Sequence, residues 1–254
     1  VTSADGGAAG EQATAVDVDA AAVFRHPYAV VLVLTAVAGA VDAVAFEWFG
    51  VFTSNQAGNL VVVWTLLPTD PAAALLSAAS VVGCGFGVAT VALLRRRFAF
   101  LATPRGARTL LVAAAGLIVV AAIVSVRVTA PAGGQPAAPV LGAAAWWASA
   151  VSVTVAAASL AAMAVVVVSA HGTRAAILAP TNSLVEAVRL GTASRWRPSP
   201  ARSRALRAGG FPIAWTCGAA SAALLPVGYV GIAVAAGVTL LVIALAVPPA
   251  RPAT

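Results

Sequence analysis

Apolar positions in this chain come in solid blocks rather than stripes. Runs dominated by Val, Ala and Leu cover about residues 28–49, 72–94, 109–126, 140–169, 211–225 and 227–247, and nearly all charged residues fall in the breaks between them. Most blocks approach the ~20 residues with which a helix rising 1.5 Å per residue crosses ~30 Å of hydrocarbon. A helix that is apolar on every side belongs in lipid or in a large core. The pattern therefore predicts an all-α integral membrane protein with about six transmembrane helices.

Two segments break the pattern. Residues 57–67 stop at Pro68 after roughly 16 Å of helix, about half a bilayer. Residues 175–191 contain Pro180, Thr181, Asn182, Ser183, Glu186 and Arg189, too polar a set for lipid contact. Both are expected to be half-helices or re-entrant segments, tolerated at depth only where protein or a cavity surrounds them.

Composition removes the soluble alternative. The chain is 61% hydrophobic and 9% charged, against about 25% charged residues in an ordinary soluble domain. Its net charge of +7 comes from fifteen Arg and no Lys. Because these arginines sit between apolar blocks, they orient spans rather than mark a nucleic-acid footprint, and no nucleic-acid partner is expected. Were both short segments to cross, eight crossings would leave Arg95, Arg96, Arg97, Arg105, Arg108 and Arg174 inside and nine arginines outside. Were neither to cross, six crossings would leave only Arg127 outside. The positive-inside rule selects six, with both termini cytoplasmic in a bacterial inner (cytoplasmic) membrane. The partners expected are the lipid bilayer and, for the clusters 95–108 and 195–207, anionic lipid headgroups.

Residues 1–27, Ala/Gly-rich and acidic, are expected to form a disordered tail, and 248–254 a short C-terminal tail. Residues 28–247 form a single transmembrane domain with repeat halves at about 28–126 and 140–247. The repeat rests on Ala57-Gly58-Asn59-Leu60-Val61 against Thr181-Asn182-Ser183-Leu184-Val185, and on Cys84-Gly85 against Cys217-Gly218. Asn182 opposite Gly58 suggests left-handed backbone at both, since Gly and Asn tolerate it. Three spans per half require the halves to be inverted, a recurring architecture of secondary transporters.

Gly39-Ala40-Val41-Asp42-Ala43 followed by Val51-Phe52-Thr53-Ser54-Asn55-Gln56-Ala57-Gly58-Asn59-Leu60 resembles the YoaK family of small bacterial membrane proteins, a domain of unknown function. The resemblance covers roughly 28–247 and implies a multi-span membrane protein without an assigned activity. Ala57 stands where the family usually has Thr, and Asn182 where its second-half echo has Gly.

Asp42 lies about fourteen residues into the first span. A carboxylate there must face the bundle interior and be partnered or protonated. It is either a proton- or cation-coupling group or a polar lock on the nearby re-entrant segment. Thr53, Ser54, Asn55, Gln56 and Asn59 line the approach to the first half-helix, where they could bind a small ion or metabolite or cap the helix. Thr181, Asn182 and Ser183 would be their counterparts. Glu186 and Arg189, spaced i, i+3, form a structural pair or a gate. Glu47 and Trp146-Trp147 are expected at the outer interface, and His171 and Arg174 at the inner one. Gly83-xxx-Gly87 and Gly218-xxx-Ala222 are close-packing patterns. No motif calls for a metal, a cofactor or enzymatic chemistry. The leading functional expectation is a small secondary transporter or channel-like protein, and the alternative is a non-transporting scaffold or regulatory partner.

Overall fold

The computed structural model describes residues 20–125, 143–166, 169–170, 173–174, 180–193, 197–225 and 228–246. Residues 1–19, Arg127, His171 and the tail at 248–254, about which the sequence raises expectations, lie outside the described residues.

Among the described residues, five helices are long and apolar enough to cross a membrane. They are α2 (Pro27–Phe49), α4 (Pro71–Arg97), α5 (Pro104–Ser125), α6 (Ala143–Val166) and α9 (Gly228–Ala246). The short α1 (Ala20–Val23) precedes them, α3 (Gln56–Leu66) lies between α2 and α4, and α7 (Pro180–Ala193) follows α6. A two-residue antiparallel ladder, Ser169–Ala170 with Thr173–Arg174, separates α6 from α7. The expected span at 211–225 falls in the later part of α8 (Pro200–Leu224), a helix of 25 residues. Arg202, Arg204 and Arg207 in its first turns, and Pro212 inside it, make α8 less apolar than the other five.

Local chemistry sets the ends. Proline opens α2, α4 and α8, where its missing N–H leaves nothing unsatisfied. Asp70 caps α4 by accepting from Ala73 N at 3.0 Å, and Ser199 caps α8 by accepting from Arg202 N at 3.1 Å. α2 stops at Gly50, whose φ of 69° is left-handed and whose N–H returns to Phe46 O at 2.9 Å.

The long helices pair across the chain: α2 with α8, α4 with α6, α5 with both α6 and α9, and α2 with α9. The short helices pair locally, α3 on α4 and α7 on α8. Lipid tails are as apolar as side chains, so close backbone approach rather than the hydrophobic effect holds such helices together. At the α4–α6 crossing, a Cβ on Gly83 or Gly87 would overlap the backbone of Thr154 or Ala158. At the α2–α8 crossing, a Cβ on Gly39 would strike Trp215 O, and one on Gly218 would strike Ala36 O. Outside these seams the surface is apolar: Phe86 and Leu245 are each 68% exposed, and Leu224 84%. An apolar exterior on this scale calls for hydrocarbon around it.

Three features depart from expectation. Residues 20–24 are not free tail, because Ala20, Val23 and Phe24 are buried where α1 meets α2 and α5. Arg95 and Arg108 do not simply face headgroups. Arg95 is buried and donates from Nη1 to Val165 O at 3.3 Å. Arg108 donates to Ala244 O at 3.3 Å and Val23 O at 3.4 Å, with its guanidinium 5.2 Å from the Phe24 ring centre. Both arginines cover carbonyls at the C-terminal ends of helices, where intrahelical partners run out. Gly58, third, is helical: among the described glycines only Gly50 and Gly228 have positive φ. The left-handed pairing of Gly58 with Asn182 is therefore incorrect, since both lie inside helices.

Candidate functional site

Asp42 sits seven residues before the end of α2, about 10 Å below its last turn. Beyond Gly50 the chain turns back towards this level. Thr53 N and Ser54 N donate to Asp42 Oδ1 at 2.7 and 2.6 Å, and Thr53 Oγ1 donates to the same oxygen at 2.9 Å. Ser54 Oγ donates to Oδ2. Asp42 is 0% exposed and Thr53 and Ser54 1% each, so two consecutive residues replace the carboxylate's entire hydration shell. No cation pairs with Asp42 among the described residues; hydrogen bonds alone offset its desolvation.

A second layer holds that turn in place. Asn59, on the first full turn of α3, accepts from Phe52 N at 2.9 Å and donates to Phe52 O at 2.5 Å. Its amide thus pairs with Phe52 as a neighbouring strand would. Ser80 of α4 donates to Phe52 O at 2.6 Å and accepts from Asn59 Nδ2 at 3.0 Å and Gln56 Nε2 at 3.3 Å. Gln56 also donates to Thr53 O at 2.9 Å. Asn55 caps α3, its Oδ1 accepting from Gly58 N at 3.4 Å. The Phe52 ring stacks on Phe46 with centres 4.7 Å apart, and a Cβ at Gly58 would lie 3.0 Å from that ring. Glycine here makes room for Phe52.

These bonds outline a path that doubles back on itself. Gln56 and Asn59 meet Ser80, nine residues into α4, about 13 Å from its start. Leu66, at the other end of α3, leads through Pro68 to the first turn of α4. The chain therefore dips beside α2 and climbs back along α4. The expected enclosure of this segment is not met on its outer side, where Val61 is 63% and Trp64 71% exposed. Its polar residues face protein and its apolar ones face outward.

The second short helix does not complete the cluster. α7 packs on α8, Asn182 is exposed, Ser183 is buried, and the Thr181 side chain lies outside the described residues. Among the described residues no hydrogen bond joins α7 to Asp42 or Asn59. Glu186 and Arg189 form a two-pronged surface pair, with Nε to Oε2 and Nη2 to Oε1 both at 2.9 Å. Glu47 is exposed near the end of α2, and Trp146 and Trp147 meet edge to face at 4.9 Å. No group of three or more His, Cys, Asp or Glu stands together among the described residues.

Sequence reasoning missed Ser80 and the Phe52 backbone. A serine in an apolar span ordinarily bonds to its own helix four residues back, so nothing in the local sequence distinguishes Ser80 from Ser159, which does so at 2.7 Å. The i, i+7 pairing of Phe52 with Asn59 carries no composition cue either.

A family model described as a protein of unknown function (DUF1275) matches residues 30–246. No curated protein and no solved structure matches the chain.

Proposed function

The chain belongs to this family of unknown function, of which the YoaK group is part, and we propose that it is a small secondary transporter whose re-entrant helix is latched by Asp42. One observation carries the reading: every donor to Asp42 comes from Thr53 and Ser54, in the turn that leads into α3. The charge on one carboxylate therefore governs the seat of one movable segment. A proton or small cation arriving at Asp42 competes with those donors and loosens the turn. The transported species is a small ion or metabolite. In this reading α8 is the sixth crossing and the halves form an inverted repeat. Helix pairing supports that: α2 with α8 mirrors α6 with α4, and α3 on α4 mirrors α7 on α8. The arginine-bearing ends face the cytoplasm and anionic headgroups of the inner membrane.

A second reading, a scaffold or regulatory partner that transports nothing, is favoured by the closure of the Asp42 cluster.

Val51, buried in the same turn but not bonded to Asp42, distinguishes them. In a background lacking Cys84 and Cys217, the rate of a Val51→Cys thiol, divided by that of an exposed reference thiol at the same pH to remove the change in thiolate fraction, should be low at about pH 8 and at least about tenfold higher at about pH 5, as protonation weakens the latch. With Asp42→Asn added, that ratio should be high at both values. Protection unchanged by pH and by Asp42→Asn would support the scaffold. The topology has its own measurement: Ser203→Cys, at an exposed position of α8, should be labelled by an impermeant reagent only after the membrane is opened. Labelling in intact cells would remove the six-crossing arrangement.

A further inference from the structure

An open groove of about 520 Å³ runs between α7 and α8. Leu184, Ala187 and Val188 line it from α7, and its α8 wall extends from Ala205 to Cys217. Those residues span about 18 Å along the helix, the depth of one leaflet in a hydrocarbon core of ~30 Å. The helices approach closely at its floor, where a Cβ at Gly209 would stand in contact with Ala187 Cβ at 3.7 Å. Nothing from the described protein fills it.

One end carries a basic residue. Arg202 precedes Ala205 and Leu206 by three and four residues, so it shares the groove's face of α8. Its Nε is buried without a hydrogen-bond partner, and a charged donor left in that state is costly. Arg204 and Arg207, two and five residues further on, lie on other faces of α8, and the N-terminus of α8 adds partial positive charge. The acid of α7 in this region, Glu186, is already taken by Arg189 through both oxygens.

We propose that the groove binds one anionic phospholipid, its acyl chain between α7 and α8 and its phosphate on Arg202. The groove's apolar length calls for a chain, which a free phosphate lacks. The unpartnered Nε of Arg202 calls for an anionic oxygen. The site is separate from the Asp42 latch and does not depend on the transporter reading.

Thermal unfolding of the delipidated full chain tests it. Saturating dioleoyl-phosphatidylglycerol should raise Tm by about 5 °C more than dioleoyl-phosphatidylcholine. Arg202→Gln should lower the affinity for phosphatidylglycerol about tenfold. Gly209→Leu, which fills the groove without touching the arginines, should remove the advantage of phosphatidylglycerol over glycerol phosphate. Equal shifts with the two lipids, glycerol phosphate matching phosphatidylglycerol in the unmodified chain, or an Arg202→Gln response like wild type would each overturn the proposal. Both variants should keep the pH-dependent reactivity of Val51→Cys, so failure here is separable from failure of the latch.

Discussion

Asp42→Ala should destabilise the protein by about 3–5 kcal/mol, while Asp42→Asn should stay within about 2 kcal/mol of wild type. The difference follows from what each leaves behind. Alanine strands the N–H groups of Thr53 and Ser54 in a site with no exposure, at about 1–3 kcal/mol each. The two hydroxyls, Thr53 Oγ1 and Ser54 Oγ, can rotate towards other acceptors and add less. Asparagine keeps an oxygen for the backbone donors and presents an N–H₂ to Ser54 Oγ, which accepts as readily as it donates. What asparagine removes is the charge, and with it the stronger part of each bond. It therefore resembles the protonated acid: folded, but weakly latched. Reversible unfolding in mixed detergent micelles measures the stabilities. If Asp42→Ala unfolds within about 1 kcal/mol of wild type, Asp42 does not hold the re-entrant turn.

Gly218→Val should cost about 3 kcal/mol or more and separate α2 from α8. The new Cβ would coincide with the carbonyl oxygen of Ala36, and the opposing seam is already closed by Gly39 against Trp215 O. Neither neighbour is a side chain that can rotate away, so the helices must move apart. Gly85→Val is the matched control, because a Cβ there meets nothing within 4 Å. Its effect should stay within about 1 kcal/mol. Equal losses for the two variants would mean that added bulk, rather than the α2–α8 contact, sets the cost.

That pair of glycines also shows how far the chain can be read unaided. Cys84-Gly85 and Cys217-Gly218 look equivalent in sequence, yet Gly85 faces open space and Gly218 faces Ala36. The contact glycines of α4 are Gly83 and Gly87. A dipeptide match carries no helical phase, so it cannot assign a face; the small-xxx-small spacing does carry phase, and it located both crossings. Helix existence was legible for similar reasons, since block length and the prolines at 68, 71 and 200 state where helices can run. Asp42 and its neighbours were legible because a carboxylate in a span demands partners, and polar residues were available only nearby. Long-range roles were not. Arg95 and Arg108 look like their loop neighbours, and only the fold brings Val165 O and Ala244 O to them. Asn182 matches a motif position but lies exposed on a helix that packs elsewhere. Side-chain type specifies what a residue needs, whereas the packing partner specifies whether the need is met.

The locality of the Asp42 bonds bears on how the protein enters the membrane during synthesis. α2 finds its main helical neighbour only in α8, which ends 175 residues after Phe49. At translation rates of about 5–20 residues per second, that is a wait of roughly 9–35 s. An unpartnered aspartate held in lipid for that interval would oppose insertion of α2. Its donors, however, lie only eleven and twelve residues downstream. The carboxylate can therefore be satisfied within α2 and the turn that follows it, before α4 to α9 are made. The latch lets an acidic span insert without them, and the slower assembly of crossed helix pairs then proceeds among segments that are already compatible with lipid.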